Sequence, residues 1–167
     1  AEQWRRVVDL KLYGTYCVCQ AAPMLMRDRA DPKASCSGKI ITLTSIHDNL
    51  PRLGKFHYDA AKAGVSVLTR EMALALAPWR INVNAVAPGV IDTPMNQGLL
   101  ENLPGLAAAL GRVPWARIGT AAEVARLIRF LASGDADYIT GAIVPIDGGR
   151  ALFSGAVSAP DLLNNGC

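Results

Sequence analysis

Tyr58 and Lys62 stand four positions apart in the stretch HYDAAKAG, residues 57–64. In a helix this spacing puts both side chains on one face, one turn apart. A free phenol has a pKa of about 10, so only about one molecule in a thousand is phenolate near neutral pH. A neighbouring ammonium in a partly desolvated cleft, helped by a helix N-terminus, favours the phenolate and would make the pair an acid/base device. The spacing alone favours an ordinary solvated helix face, so the choice depends on what else converges there.

The composition indicates one globular domain. The chain has 167 residues, 51% of them apolar, which is enough for one sizeable core and too short for two, so we expect a single domain over 1–167. The net charge of +3 is not gathered into a Lys/Arg run, which argues against nucleic acid or a membrane surface as partner. No apolar run is long enough to span a bilayer, and the start AEQWRRVVDL has neither a signal-peptide core nor an initiating Met. We therefore expect a cytoplasmic protein and a start that is internal to a longer chain.

The cysteines and histidines do not form a metal-binding pattern. The four cysteines are Cys17, Cys19, Cys36 and Cys167. They lack a C-x-x-C or Cys/His spacing, so we expect reduced thiols and no metal site. His47 and His57 flank the Tyr58 region without a metal spacing, and we expect them at the surface or at the rim of a substrate site.

Hydrophobic periodicity predicts alternating helices and strands. The predicted helices are 2–29, 58–77 (ended by Pro78) and 121–133, and the predicted strands are 39–45, 81–89 and 142–147. An irregular stretch, 94–118, lies between the second strand and the last helix. Strands that alternate with helices through short connections indicate a parallel sheet with right-handed crossovers, the open doubly wound α/β architecture.

Three polar features converge at one edge of this predicted sheet. Ser45 ends the first strand, Tyr58 opens the next helix, and PGVIDT (88–93) leaves the second strand. In doubly wound sheets, ligands bind beyond the carboxyl ends of the strands. A serine there can donate a hydrogen bond to the oxygen of a substrate carbonyl and stabilise charge developing on it. Simpler interpretations stay open for each feature: a strand-ending hydroxyl for Ser45, a helix N-cap for Thr93 and a plain turn for 88–89.

The ordered motifs of the chain resemble those of the short-chain dehydrogenase/reductase family. They are Ser45 thirteen residues before Tyr58, the Tyr-x-x-x-Lys at 58–62, NVNAVAPGVIDT at 82–93, RIGTAAEVA at 117–125 and YITGAIVPIDGG at 138–149. Nearly all of residues 1–149 fall into this pattern, which corresponds to the C-terminal two-thirds of a family member. The resemblance implies a Rossmann-like fold, NAD or NADP as cofactor, and interconversion of a small alcohol and its ketone.

The resemblance also implies roles for the converging residues. Tyr58 would be the general acid/base, Lys62 would lower its pKa and hold the nicotinamide ribose hydroxyls, and Ser45 would polarise the substrate. The cofactor-binding residues implied at the end of the second strand are Pro88, Gly89, Ile91 and Thr93. The backbone near Ile91 and the Thr93 hydroxyl would contact the nicotinamide carboxamide, and the Pro-Gly pair would shape the turn.

Two departures from the family pattern qualify these expectations. Position 11 is Lys, where similar enzymes carry an Asn that helps to hold a proton-relay water. This second cation could lower the pKa of Tyr58 further, or it could repel Lys62. A third alternative is that the relay uses a backbone carbonyl and is unaffected by the side chain. The glycine-rich phosphate loop TGxxxGxG does not occur in residues 1–167, and the choice between NAD and NADP is unreadable without it. We expect a fragment of a longer enzyme, or a truncated product that binds dinucleotide poorly and exposes the edge of strand 39–45.

A different class of function also stays open. The chain could be a catalytically silent fragment that acts only as an association module through helices 2–29 and 58–77. Members of the family commonly form dimers through these two helices, and the resemblance implies a homo-dimer or homo-tetramer. It also implies that 94–118 is a mobile substrate lid. Four other residues are interpreted as structural. Arg117 and Glu123 would stabilise the start of a helix electrostatically, and Trp4 and Trp79 would be packing anchors.

Overall fold

The structure, a computed structural model, describes residues 1–28 and 33–152. The helices are α1 (Glu2–Val8), α2 (Gly14–Arg27), α3 (Phe56–Leu76), α4 (Gln97–Leu100), α5 (Leu103–Leu110) and α6 (Ala121–Ala132). The strands are β1 (Gly38–Leu43), β2 (Ile81–Pro88), β3 (Ile91–Asp92), β4 (Gly119–Thr120) and β5 (Ile143–Ile146).

The main sheet has three parallel strands in the order β1-β2-β5. The register aligns Gly38 with Ile81 and Leu43 with Val86, and on the other side of β2 it aligns Ala85 with Ile143. All three strands therefore end at one edge. Strand β2 is central and buried along almost its whole length, and its two buried asparagines, Asn82 and Asn84, donate to the Asp137 and Ile139 carbonyls. Strand β1 pairs with β2 alone among the described residues, so it forms the sheet edge that the sequence predicted.

Helices cover both faces of the sheet. The crossover helix α3 packs on β2; α1 packs against α3, and α2 packs against both α3 and β1. A core cluster forms there around Cys19, Ile40, Leu76, Ile81 and Val83. On the opposite face α6 packs on β1 and β2, with Val86, Leu131 and Ala136 at the centre of a second cluster. This arrangement confirms the predicted doubly wound α/β class.

Several element bounds differ from those predicted. Helix α3 begins at Phe56, two residues earlier than expected, and ends before the 3-10 turn that contains Pro78. The predicted helix 2–29 is continuous through Arg27 but widens into a π-helical turn over Asp9–Tyr13; residue 29 lies outside the described residues. The stretch 94–118 is not wholly irregular, because it contains α4 and α5.

Some of the predicted single-residue roles are corrected. Trp4 and Trp79, which were expected to be packing anchors, are 48% and 38% exposed, so neither anchors the core. The Arg27 guanidinium stacks over the Trp79 ring. Both tryptophans lie at the ends of elements, where helical periodicity does not determine burial. Cys17, Cys19 and Cys36 are unpaired; Cys167 lies outside the described residues. Within 1–28 and 33–152, no helix is both long and apolar enough to cross a bilayer.

Candidate active site

A cavity of about 930 Å³ opens at the carboxyl ends of β1 and β2. Ser45, Tyr58 and Lys62 all line it, and so do Pro88, Gly89, Ile91 and Thr93 from the segment that follows β2. The structure therefore brings together all the residues for which the sequence suggested a site. Their roles in binding and catalysis stay predictions. His47 and His57 line the same cavity, in agreement with the expected rim position.

Ser45 lies just beyond the end of β1, in a fixed position. The Thr44 backbone N–H donates to the Val86 carbonyl at 2.8 Å, and the Thr44 hydroxyl donates to the same oxygen at 3.2 Å. Ser45 is buried and extended, and its hydroxyl oxygen accepts a hydrogen bond from the His47 N–H at 3.2 Å. This bond caps a short 3-10 turn and uses only the oxygen. The hydroxyl proton is left to donate to a ligand oxygen.

The first turn of α3 carries Tyr58 and is tied to the preceding loop by Asp59. The buried Asp59 carboxylate accepts hydrogen bonds from the Arg52 backbone N–H at 2.8 Å and from the Arg52 guanidinium at 2.9 Å. The same guanidinium lies over the Tyr58 ring, 5.1 Å from its centroid. A charge-assisted pair of this kind fixes both partners. The loop before α3 and the tyrosine are therefore held in one arrangement.

Lys62 is one helical turn further along and is only 8% exposed. Its Nζ donates to the Leu43 carbonyl at 2.6 Å and lies 5.9 Å from the Tyr58 ring centroid. Burial, and secondarily the charge of Lys11, lowers the pKa of Lys62 to about 8. The ammonium is thus still mainly protonated at neutral pH. Two of its three N–H donors remain for other partners.

Tyr58 accordingly has two cations beside its ring, Arg52 and Lys62. Both attract negative charge that develops on a phenol oxygen. The sequence suggested Lys62 from its spacing but did not suggest Arg52 or its partner Asp59. The only signal for that pair was a pair of opposite charges seven residues apart, with a loop of unknown shape between them.

Lys11 lies in the π-helical turn of the N-terminal helix, and it lines the same cavity. Its backbone carbonyl accepts a hydrogen bond from the Thr15 hydroxyl at 2.8 Å. Its charge is close enough to Lys62 to disfavour the protonated form of that residue. Of the alternatives left open by the sequence, the structure therefore supports repulsion between the two lysines.

The segment after β2 is shaped by a close approach to the chain after β5. The Gly89 N–H donates to the Ile146 carbonyl at 3.0 Å, and a Cβ on Gly89 would come within 2.7 Å of the Asp147 Cβ. Only glycine fits there. Further along, the Ile91 carbonyl accepts from the Asn96 amide at 2.8 Å, and the Thr93 hydroxyl lies 3.5 Å from that carbonyl.

The described residues fit one half of a dinucleotide. The cavity has the size of a small-ligand site, and the Tyr58 hydroxyl, the Lys62 ammonium and the Thr93 hydroxyl are hydrogen-bonding groups of the kind that would hold a ribose and a carboxamide. Within 1–28 and 33–152, no glycine-rich loop opens a helix after a strand, so these residues offer no loop of that type for the phosphates. The same residues contain no group of three or more His, Cys, Asp or Glu placed to hold a metal ion.

An open α/β sheet with a polar cavity beyond its strand ends is typical of folds that bind a ligand at that edge, and comparison with known proteins identifies the family. The profile of the family described as enoyl-(acyl carrier protein) reductase matches residues 1–151. The 3beta-hydroxysteroid dehydrogenase 1 of Eggerthella lenta is 38% identical over 154 residues, which are 92% of this chain and 57% of that protein. The 3-oxoacyl-[acyl-carrier-protein] reductase FabG of Thermotoga maritima is 39% identical over 152 residues, 90% of this chain and 58% of that protein.

The similarity extends to solved structures. One structure from Agrobacterium tumefaciens, provisionally described as a 2-deoxy-D-gluconate 3-dehydrogenase with bound NADP, superposes with a TM-score of 0.82 at 35% identity; the match covers 89% of this chain and 58% of that one. The chain belongs to the short-chain dehydrogenase/reductase family, as its motifs predicted. It spans a little under three fifths of the length of these relatives.

Proposed function

We propose that this chain carries the catalytic site of an NAD(P)-dependent oxidoreductase that interconverts a small alcohol and its ketone. The observation that carries the proposal is the convergence of Ser45, Tyr58 and Lys62 on one cavity with the segment after β2. Relatives with dehydrogenase and reductase activities support it. The cofactor, NAD or NADP, would supply the hydride, since no side chain carries one.

Each catalytic side chain has a defined task in this proposal. Ser45 donates its hydroxyl proton to a hydrogen bond with the substrate oxygen. Tyr58 passes a proton to that oxygen during reduction and takes it back during oxidation. Lys62 stabilises negative charge on the Tyr58 oxygen and uses its free N–H donors for ribose hydroxyls.

The nicotinamide end of the cofactor would be held by the segment after β2. Pro88 and Gly89 set the direction of the chain there, and the backbone near Ile91 with the Thr93 hydroxyl would bind the carboxamide. We propose that residues 1–167 form a single partial Rossmann-like domain, in which 94–118 is the substrate lid. The apolar side chains Met95 and Leu103 in that segment are largely exposed, which suits a surface that closes over a ligand.

The phosphates of the cofactor need backbone donors such as those of a glycine-rich loop, and residues 1–167 contain no loop of that type. We therefore propose that this 167-residue chain by itself binds NAD(H) and NADP(H) with millimolar or weaker affinity and lacks measurable activity. Isothermal titration calorimetry on the purified chain measures this directly. Micromolar binding would contradict the proposal.

The test of the catalytic assignment is Tyr58→Phe in the whole protein that contains residues 1–167. The substitution removes the transferable proton and keeps the ring, so turnover should be abolished while cofactor affinity stays nearly unchanged. Tyr138→Phe is the matched control, because Tyr138 is fully exposed and does not line the cavity. A Tyr58→Phe variant that keeps most of the ketone reduction would show that another group transfers the proton.

A second candidate function, self-association, is favoured by exposed apolar side chains. Large hydrophobic residues that are more than half exposed include Leu10, Tyr13, Val18 and Leu25 on the N-terminal helical segment, and Phe56, Val67 and Leu74 on α3. Such a surface is typical of protein contacts. We propose that the protein forms a homo-dimer or homo-tetramer through it, which would also be the role of a catalytically silent chain. Light scattering that finds a monomer at high concentration would argue against the oligomer and against a role as an association module.

The proposed partners and location follow from charge and cysteine chemistry. A small net charge that is not gathered into a Lys/Arg run of the sequence gives no reason to propose nucleic acid or a membrane surface as partner. Unpaired Cys17, Cys19 and Cys36 are typical of a reducing compartment. We propose a cytoplasmic location on this ground, and labelling in intact cells would test it.

A further inference from the structure

The lining of the cavity has an unusual charge balance. Its cationic side chains are Lys11, Arg52, Lys55 and Lys62, and His47 and His57 add two imidazoles. None of the described residues that line it is an Asp or a Glu. The reaction proposed above uses Lys62, and Arg52 lies over the Tyr58 ring, but that reaction does not explain Lys11 or Lys55.

The charges of these cations are only partly compensated by the protein. Arg52 pairs with the buried Asp59 behind it. Lys62 donates to a neutral carbonyl. Lys11 and Lys55 have no salt bridge to a carboxylate among the residues of 1–28 and 33–152, and the repulsion between Lys11 and Lys62 is large enough to help depress the pKa of Lys62. Like charges around a partly enclosed volume repel one another, and an anion bound among them would relieve that repulsion.

We infer that the substrate is itself an anion: an alcohol or ketone with a carboxylate or phosphate group that Arg52 and Lys55 bind beside Tyr58. This inference rests on the proposed function, and it gives that function a substrate class. The hydroxyl or carbonyl carbon lies at Ser45 and Tyr58, and the anionic group lies toward the loop that precedes α3.

The position of Arg52 limits how far the anionic group is from the reacting carbon. Its guanidinium is 5.1 Å from the Tyr58 ring centroid, so a group bound to it is close to the phenol. One guanidinium N–H and the adjacent backbone N–H are used by Asp59, and the remaining guanidinium N–H donors are free for a planar oxyanion. Short spacers between the carbonyl and the anion therefore fit better than long ones.

Lys55 complements Arg52 from the start of α3. It is the residue immediately before the helix and is exposed at the cavity mouth. Its ammonium can move to an anion without breaking any salt bridge, because it has none in the described part of the chain. The positive end of the 21-residue helix α3 lies at the same place and adds to the attraction.

The experiment compares charged and neutral forms of the same ketones with the whole protein that contains residues 1–167. The probes are pyruvate, acetoacetate and levulinate, each against its methyl ester, and dihydroxyacetone phosphate against dihydroxyacetone. The proposal expects at least a tenfold higher kcat/KM for the charged member of at least one short-spacer pair. The keto acids and the phosphate are separate arms, and the better arm identifies the anionic group.

Substitutions test whether the cationic residues cause the preference for the charged probe. Lys55→Met should lower the charged-over-neutral preference about tenfold, through a higher KM for the anion, and leave the neutral ester unaffected. Lys55→Arg should retain the preference. Arg126→Met is the matched control, since it removes an exposed cation on α6 that does not line the cavity. Arg52→Met should also lower the preference, and because Arg52 lies over the Tyr58 ring it should slow turnover of the neutral ester as well. Circular dichroism checks that cutting its tie to Asp59 leaves the fold intact.

Three outcomes overturn the inference. The first is equal kcat/KM for charged and neutral probes, and the second is a Lys55→Met variant that keeps the preference for the charged probe. The third is a Lys55→Met variant that loses cofactor affinity but keeps its selectivity for anions. If no ketone is turned over at all, the proposed function fails instead, and binding then decides the inference. Titration calorimetry should still find that acetoacetate or dihydroxyacetone phosphate binds, that the neutral partner does not, and that Lys55→Met weakens binding. No binding of any anionic probe would refute it.

Discussion

The cavity at the strand ends and the outer face of the N-terminal helices are built in opposite ways. Around the cavity, three buried polar groups each have a partner: Ser45 caps a turn, Asp59 holds Arg52, and Lys62 donates to a carbonyl. On the outer face of the N-terminal helical segment, apolar side chains such as Leu10 in the π-helical turn and Val18 in α2 are exposed. Polar side chains are thus buried in the first region, and apolar side chains are exposed to solvent in the second.

The two regions differ in whether their side chains find interaction partners within this chain. A buried ammonium or carboxylate without a partner is costly, and the cavity avoids that cost with contacts inside this chain. The exposed apolar face has no such internal partner in the described residues. The first region can therefore be tested by single substitutions, whereas the second needs an assay of association.

The largest effect is expected at Lys62, on the buried polar side of this comparison. Lys62→Met in the whole protein removes the cation beside Tyr58 and the donors proposed for the ribose. We expect kcat to fall by about 10²–10⁴-fold and cofactor affinity to fall with it. Steady-state kinetics and cofactor titration measure the two losses separately.

A charge-preserving variant sharpens the interpretation of that result. Lys62→Arg should not restore full activity, because a broad guanidinium does not occupy the place of a compact ammonium that is 8% exposed. A Met variant with normal cofactor affinity would leave Lys62 only an electrostatic role.

The next effect concerns the core, and it contrasts a buried with an exposed apolar residue. Ile81 is 1% exposed in the cluster below α3, whereas Leu74 on α3 is 79% exposed. Ile81→Ala should lower the free energy of unfolding by about 2–5 kcal/mol through lost burial and a cavity. Leu74→Ala should stay within about 0.5 kcal/mol in the monomer. Urea denaturation of both variants checks the contrast, and a large loss for Leu74→Ala would show that its face is covered in solution.

The sequence predicted the architecture and the convergence of the site because both depend on short-range patterns. Alternating helices and strands determine a parallel sheet, and the ends of parallel strands meet at one edge. Ser45, Tyr58 and the segment after β2 therefore had to lie near one another once the strands were assigned. The helix start at Phe56 was missed, because no capping side chain marks it.

Features that depend on loop shape could not be predicted in this way. The tie between Arg52 and Asp59 requires the conformation of the loop before α3, which no periodicity encodes. Repulsion between Lys11 and Lys62 was one of the alternatives that the family resemblance suggested, but choosing it required the packing of two helices that are far apart in sequence. The exposure of Trp4 and Trp79, which were interpreted as packing anchors, could not be predicted because residue type alone does not show which face of a helix end is covered.

A smaller effect is expected at the start of α6. Thr120 forms a capping box, in which its hydroxyl accepts from the Glu123 N–H at 3.2 Å and the Glu123 carboxylate accepts from the Thr120 N–H at 2.8 Å. Arg117 pairs with Glu123 at 2.6 Å, in agreement with the helix-stabilising role that the sequence suggested. Thr120→Ala should cost about 0.5–2 kcal/mol of unfolding free energy, measured by thermal denaturation. Thr120→Ser should retain most of it, and equal losses for Ala and Ser would exclude the cap as the cause.

The smallest effect is expected for Lys11→Met, and it tests the repulsion between the two lysines. Burial is the main reason that the pKa of Lys62 falls from 10.5 to about 8, and Lys11 is the second. Removing the Lys11 charge should therefore raise the pKa of Lys62 part of the way back, and the alkaline fall of kcat should move to higher pH. Because the folded pKa is the lower one, the native state releases its proton first, so Lys62 makes stability rise with pH between about 8 and 10.5.

Lys11→Met should reduce that rise in stability, because the difference between the folded and unfolded pKa values of Lys62 becomes smaller. The pH dependence of kcat and of urea denaturation between pH 7 and 10.5 measures both consequences, and Arg126→Met provides the control for loss of a distant charge. Both shifts should occur together, since one titrating group causes them. If the alkaline limb moves while the stability curve does not, a group other than Lys62 governs the rate, and the buried ammonium serves only to hold the end of β1.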